Sequence, residues 1–298
     1  MSDWPVGLST GCFYDRSIFD VLEPIYHGGF SMLEICSAEK HFDYHDRDAL
    51  ESLVRRLRDL DLEAYSFHAP YGRDIDITSL DDERRAYSRE EILRSAEAAA
   101  QLNVRYFVIH PGPEMSEEPP AEERLHRLRN AASVLDVVSQ RCAQLGIGFC
   151  LENMLPHLLF GNASDMLWIL GDIRRVEVGV CLDTGHAHLA RDITEIVRKF
   201  AGHLRMLHVH DNRGDYDDHL PPGEGEIDWL RLVGELRRIR FAGGLVLELS
   251  GDLDLEPDEM LARARHARWF LRDLSRRVAL FGTTGQGPLQ SMDIEEKA

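Results

Sequence analysis

Basic residues are scarce in this chain, and their scarcity narrows its partners. Lysine and arginine total 34 against 52 aspartates and glutamates, a net charge of −18 over 298 residues with histidine neutral. Such a field repels phosphate backbones at long range and disfavours non-specific nucleic-acid binding, so small neutral or metal-chelating substrates fit better. Cysteine is sparse too. Cys12, Cys36, Cys142, Cys150 and Cys181 show no CxxC spacing, and reduced, mostly buried thiols are expected. No apolar run approaches the ~18 residues of a membrane span. The N-terminal MSDWPVGLSTG has neither a basic stretch nor an apolar one of signal type. A cytoplasmic protein that does not enter membranes is the expectation. No Pro/Gly/Ser-rich linker divides the chain, so one domain is expected.

What the chain does have is a long alternation of short apolar runs and amphipathic stretches. Strand-sized runs occur at 6–10, 31–36, 62–67, 105–109, 147–151, 178–182, 204–208 and 244–248. Between them lie segments such as ALESLVRRLRDL, EEILRSAEAAAQL, the run from Ala121, ITEIVRKFAG and DWLRLVGELRRI, with apolar residues at three- and four-residue spacing. Repeated β-then-α units in a chain of this length predict a single (β/α)8 TIM barrel of the α/β class over residues 1–277, since such a barrel needs roughly 250 residues. An open doubly wound sheet is the alternative. From Val278 to Ala298 the periodicity is lost, and a short flexible C-terminal tail is expected, or an arm onto a partner subunit in a homo-oligomer. Long segments follow the third, fourth and seventh runs, at 69–82, 111–120 and 212–228, as suits loops that enclose a substrate.

Six of the runs end on a titratable side chain: His68, His110, Glu152, Asp183, His208 and Glu248. The carboxyl ends of barrel strands are where such enzymes keep their sites. Glu152, Asp183, His208 and Glu248 close four successive strands. Three carboxylates and one imidazole aimed at a common point make a hard anionic pocket for one divalent ion, Mn²⁺, Mg²⁺ or Zn²⁺. Helix capping is the competing role for each carboxylate taken alone. The stretch from Gly179 to Trp229 is densest, adding His186, His210, Asp211, Asp217 and His219. His210 is read as a loop residue or one that supports a ligand, His188 as a surface or packing residue, and Asp228 as a helix N-cap. Glu34, ending the second run, either reaches substrate from the rim or serves as a cap or buried partner.

The motifs HAPYG, HPGP, LEN, CLDTGHAHL, LHVHDN, HLPPGEGEIDW and LELS together resemble the xylose isomerase-like barrel superfamily, from roughly Val6 to Leu274. That superfamily contains sugar isomerases and epimerases and the endonuclease IV type of apurinic-site endonucleases. The resemblance implies an ion held by Glu152, Asp183, His208 and Glu248. In the endonuclease branch it implies up to three zinc ions, with His68, His110, His186, Asp217 and His219 as further ligands. All five are present. That branch, however, places a bulky apolar wedge after the tyrosine of the first histidine loop, where this chain has Gly72 after Tyr71.

Two functions are therefore expected of one scaffold. The first is a metal-dependent isomerase or epimerase of a sugar, sugar phosphate or cyclitol, in which Glu152 and Glu248 move a proton through an enediolate and His186 polarises a substrate oxygen. The alternative is a trinuclear zinc phosphodiesterase acting on abasic DNA. A binding protein that keeps the metal but not turnover is a third class.

Overall fold

Strands in this chain read as near-continuous apolar runs because each is buried on both faces, outward against helices and inward in a lumen. The computed structural model describes residues 4–114, 119–173, 177–249 and 256–283. Eight parallel strands close in sequence order: β1 (Val6–Ser9), β2 (Met32–Cys36), β3 (Glu63–His68), β4 (Tyr106–Ile109), β5 (Gly148–Glu152), β6 (Gly179–Asp183), β7 (Leu204–Val209) and β8 (Gly244–Leu247). Pairing of β1 with β8 completes the cylinder, so the open-sheet alternative is excluded. The predicted strand boundaries hold to within a residue.

Around the barrel run α1 (Ile18–His27), α2 (Arg47–Asp59), α3 (Asp82–Gln101), α4 (Ala121–Leu145), α5 (Ala163–Asp172), α6 (Thr184–Leu189), α7 (Ile193–Phe200), α8 (Trp229–Arg238) and α9 (Pro257–Phe281). Several begin on an acidic or amide N-cap whose side chain accepts from first-turn N–H groups: Asp46, Asp81, Asn162 and, as expected, Asp228. One boundary moves. Helix α9 continues through Phe281, and Val278 packs in the core at 7% exposure, so residues 278–281 belong to the barrel's outer layer rather than to a tail. Apolar contact with the barrel extends a helix beyond where its sequence periodicity fades. Residues 284–298 of the expected tail lie outside the described residues. Among the described residues no helix is long and apolar enough to cross a membrane. All five cysteines are free and buried.

The lumen is filled by Met32, Tyr65, Val108, Cys150, Cys181, Met206 and Val246. Two register shifts decide what sits above this plug. Opposite β2, Leu33 pairs Ala64 while Glu34 pairs Ser66, so Tyr65 is extra. Opposite β6, Val180 pairs Leu204 while Cys181 pairs Met206, so Arg205 is extra. A residue inserted this way reverses the inward–outward alternation beyond it. Beyond the first shift Ser66 and His68 face inward and Phe67 outward; beyond the second Met206 and His208 face inward.

On the outer face Phe67, Phe107 and Phe149 pair in register across β3, β4 and β5, with ring centroids 6.1 and 6.5 Å apart and nearly parallel planes. Phe107 is wholly buried between the other two. Phe107→Ala is expected to lower stability by about 3–5 kcal/mol, the range for emptying a packed phenylalanine site, measured by urea unfolding. A loss below about 1 kcal/mol would show that the stack carries no packing energy.

Candidate metal centre

His208 is the hub of the barrel mouth. It stands on β7 opposite Asp183 on β6 and has no exposed surface. Its Nε2 lies 2.9 Å from Oε2 of Glu34, whose same oxygen accepts the Ser66 hydroxyl at 2.8 Å. With a carboxylate at Nε2 that nitrogen carries the proton, and Nδ1 is left to face the opening. There it meets Glu152 Oε1 at 3.0 Å and Glu248 Oε2 at 3.2 Å, without hydrogen-bond alignment to either. Ligating atoms of Glu152, Asp183, His208 and Glu248 all fall within 4.8 Å of one another. A buried nitrogen without a hydrogen-bond partner, aimed between carboxylates from two other strands, is a donor set that fits a divalent cation.

Beside this group lie two others. His68 and His110 bring Nε2 to 3.2 and 3.4 Å from Glu152 Oε2. His186 and His219 bring Nε2 to 3.1 and 3.0 Å from Asp217 Oδ2. His186 is fixed at its other nitrogen, Nδ1, which lies 2.8 Å from the Asn153 carbonyl oxygen. Asn153 also brackets the end of β6, accepting from Asp183 N at 2.9 Å and donating to Asp183 O at 3.2 Å. Asp183 itself N-caps α6, its Oδ1 accepting from His186 N at 2.7 Å. The capping role and a place in the cluster thus coexist in one carboxylate. His219 holds a left-handed backbone, φ 48°, in the loop after β7.

That loop is held by Asp211. Fully buried, its carboxylate accepts from the backbone N–H groups of Asn212, Gly223 and Ile227 and from Trp229 Nε1 at 2.7 Å. The loop therefore closes back on its own start, which presents Asp217 and His219 to the mouth.

Burial acts on every ionisable group here, and mutual pairing overrides it. Desolvation would lower the His208 imidazole, but Cys181, Glu152, Glu34 and Glu248 hold it well above its ordinary value. Desolvation would raise Glu152, yet His208 and His110 keep it well below the usual carboxylate range. Glu34 and Asp217 are lowered the same way, by His208 and by His186 with His219 respectively. His110 and His219 are pushed up to about 9, against desolvation, mainly by Glu152 with Glu114 and by Asp217. Without an ion, bound protons supply the positive charge that the carboxylates require.

All nine residues singled out in the sequence meet at this mouth. Two others had been undervalued. Glu34 is the partner that orients His208. His210, just past β7, is fully buried with Nε2 2.9 Å from Asp183 Oδ2, and its ring stacks on His219 at 3.9 Å. It belongs with Asp217 and His219 as a third group able to hold an ion. The period-two spacing from His208 was the available signal for it. A methyl at Gly185 would lie 2.0 Å from the His210 ring, so glycine is required for that ring to dock. For Glu34 the position at the end of the second run left a buried-pair role open, and only the fold names the partner, His208, 174 residues away.

Two outcomes follow from this geometry. Glu34→Gln is expected to weaken metal binding by about 10- to 100-fold with the fold intact, read by competition with a chromophoric chelator; unchanged affinity would remove Glu34 from the site. Because the raised His208 must release a proton when Nδ1 takes an ion, affinity is expected to rise about tenfold per pH unit between about pH 6 and about pH 8. A flat profile would mean that no imidazole is displaced.

The family described as xylose isomerase-like TIM barrel matches residues 25–274. An uncharacterised protein of Methanocaldococcus jannaschii is 29% identical over 253 residues, 83% of this chain and 84% of its own length. A probable endonuclease 4 of Mycobacterium leprae is 25% identical over 190 residues, 60% of this chain and 70% of its own. Among solved structures, a D-tagatose 3-epimerase-like protein superposes with a TM-score of 0.81 at 25% identity, covering 93% of this chain and 98% of the other. By a match that spans most of the sequence and a closed eight-stranded barrel with its polar cluster at the strand ends, the chain belongs to the xylose isomerase-like TIM barrel family.

Proposed function

We propose that this protein is a divalent-metal-dependent epimerase or isomerase of a sugar or keto-sugar, with Glu152, Asp183, His208 and Glu248 as the ligands. The observation that carries the reading is the convergence of Glu152 and Glu248, from β5 and β8, on one unpartnered nitrogen of His208. A bound Mn²⁺, Mg²⁺ or Zn²⁺ would supply Lewis-acid stabilisation of negative charge on adjacent substrate oxygens. The protein's own residues do the rest. One glutamate takes the proton from the carbon next to the carbonyl, leaving an enediolate, and the other returns a proton. Return to the opposite face inverts the stereocentre. Glu248 lines both inner chambers of the mouth, of about 160 and 260 Å³, and Glu152 lines the larger. His186 also lines the larger chamber, and it reaches a substrate oxygen by exchanging its bond to Asp217. The likeness to a D-tagatose 3-epimerase-like protein supports this chemistry.

A second reading, a trinuclear zinc phosphodiesterase, is favoured by one observation: His68 with His110, and His186 with His219, each close on a single carboxylate oxygen. The two readings separate on metal content of protein purified without chelator, about one ion per chain against about three, and on cleavage of an abasic-site duplex.

Glu248→Gln is expected to reduce deuterium uptake from solvent into a ketose by about 10²- to 10⁴-fold, with the circular dichroism spectrum unchanged. Deuterium uptake at the wild-type rate would refute its role in proton transfer.

A further inference from the structure

Outside the mouth that holds these candidate ligands lies a larger cavity, of about 540 Å³, between the segments that follow β2 and β3. Tyr71 is the shared wall. Its ring centroid is 5.0 Å from that of His68 and 5.3 Å from that of His110, and the same residue lines both inner chambers and the outer cavity. Nearly half of Tyr71 is exposed, and Gly72 after it has φ +107° with open space around it. A monosaccharide gripped at the inner end would fill only the smaller chambers, leaving the outer cavity empty.

The outer cavity has the chemistry of a sugar site. Tyr71 and Tyr87 offer aromatic faces, of the kind that pack against the C–H face of a pyranose. Glu91, only 7% exposed, is held in place by the Tyr44 hydroxyl at 3.1 Å and His45 Nε2 at 3.0 Å on one oxygen and by Arg94 Nη1 at 3.2 Å on the other, and its remaining lone pairs can accept from hydroxyl groups. Ser37 is 5% exposed and lines the cavity, and its hydroxyl has no hydrogen-bond partner among the described residues. A buried hydroxyl without a bond is costly, so a rotation of Ser37 toward a ligand hydroxyl would recover a lost interaction. Among the described residues Glu39, Asp43 and Glu91 line the cavity while no lysine or arginine does, Arg94 reaching it only through its pair with Glu91. The net acidic lining disfavours a phosphate.

We propose that this cavity is a subsite for a second, uncharged sugar ring, so that the substrate is a ketose carried in a disaccharide or glycoside rather than a free hexose or a sugar phosphate. The inference rests on the epimerase reading for what happens at the inner ring, and on the cavity alone for what binds at the outer one.

The test uses the metal-loaded full chain with three probes: fructose, 6-O-glucosyl-fructose and fructose 6-phosphate. Binding is read by calorimetry and turnover by deuterium uptake. Affinity for the disaccharide is expected to exceed that for fructose by about tenfold or more, and fructose 6-phosphate to bind more weakly than fructose. Tyr87→Ala, a change at an exposed position on α3 away from the barrel mouth, is expected to erase the disaccharide's advantage and leave fructose binding unaltered. Tyr87-sensitive disaccharide binding without deuterium uptake from any probe would sink the epimerase reading and uphold the subsite. Equal affinities for fructose and the disaccharide, or a Tyr87→Ala loss shared equally by both, would overturn the subsite, as would preferred binding of the phosphate.

Discussion

Four carboxylates gathered in a water-poor barrel mouth would repel one another, and His208 is what makes their gathering stable. Its two nitrogens face Glu34 on one side and Glu152 with Glu248 on the other, while Asp183 is satisfied by the start of α6 and by His210. The histidine pairs with acids that desolvation would otherwise neutralise, and they in turn hold its proton. A divalent cation held by these residues would take over the role of that proton with a larger charge. The site is thus electrostatically shaped for a cation, and Nδ1 of His208 would be the point where ion and proton exchange.

The scaffold behind this arrangement is built to tolerate little movement. The two register shifts, at Tyr65 and Arg205, set which of His68, Ser66 and His208 face the lumen. Below them the plug of Met32, Tyr65, Cys150, Cys181 and Met206 denies space for collapse, and Tyr65 accepts a bond from Gly244 N at 2.9 Å across the barrel floor. Above them Asp211 anchors the loop that carries Asp217 and His219. Rigid strands supply the groups at the base of the site, and a loop tied at both ends supplies those at its side. Outward of both, the segments after β2 and β3 leave a roomy aromatic and acidic cavity, where a barrel enzyme varies specificity without disturbing chemistry.

Much of this was legible residue by residue. The eight strands could be read because each is a short apolar run stopped by a His, Asp, Glu or small polar residue, and their boundaries survive to within one position. The same stops pointed to Glu152, Asp183, His208 and Glu248, whose ligating atoms the fold brings within 4.8 Å. Less was visible where an effect depends on two distant segments. Glu34 became interpretable only through its contact with His208, and α9 runs past its fading periodicity because Val278 finds the core.

The sequence by itself determined the alternation of strand and helix, the acidic balance and the placing of titratable side chains at strand ends, because each is a property of neighbouring residues and their period. The register shifts that turn His68 and His208 inward, the pairing of Glu34 with His208 and the cavity beyond Tyr71 were decided by the tertiary structure alone. Each is a distance between residues far apart in the chain, fixed by packing rather than by local pattern.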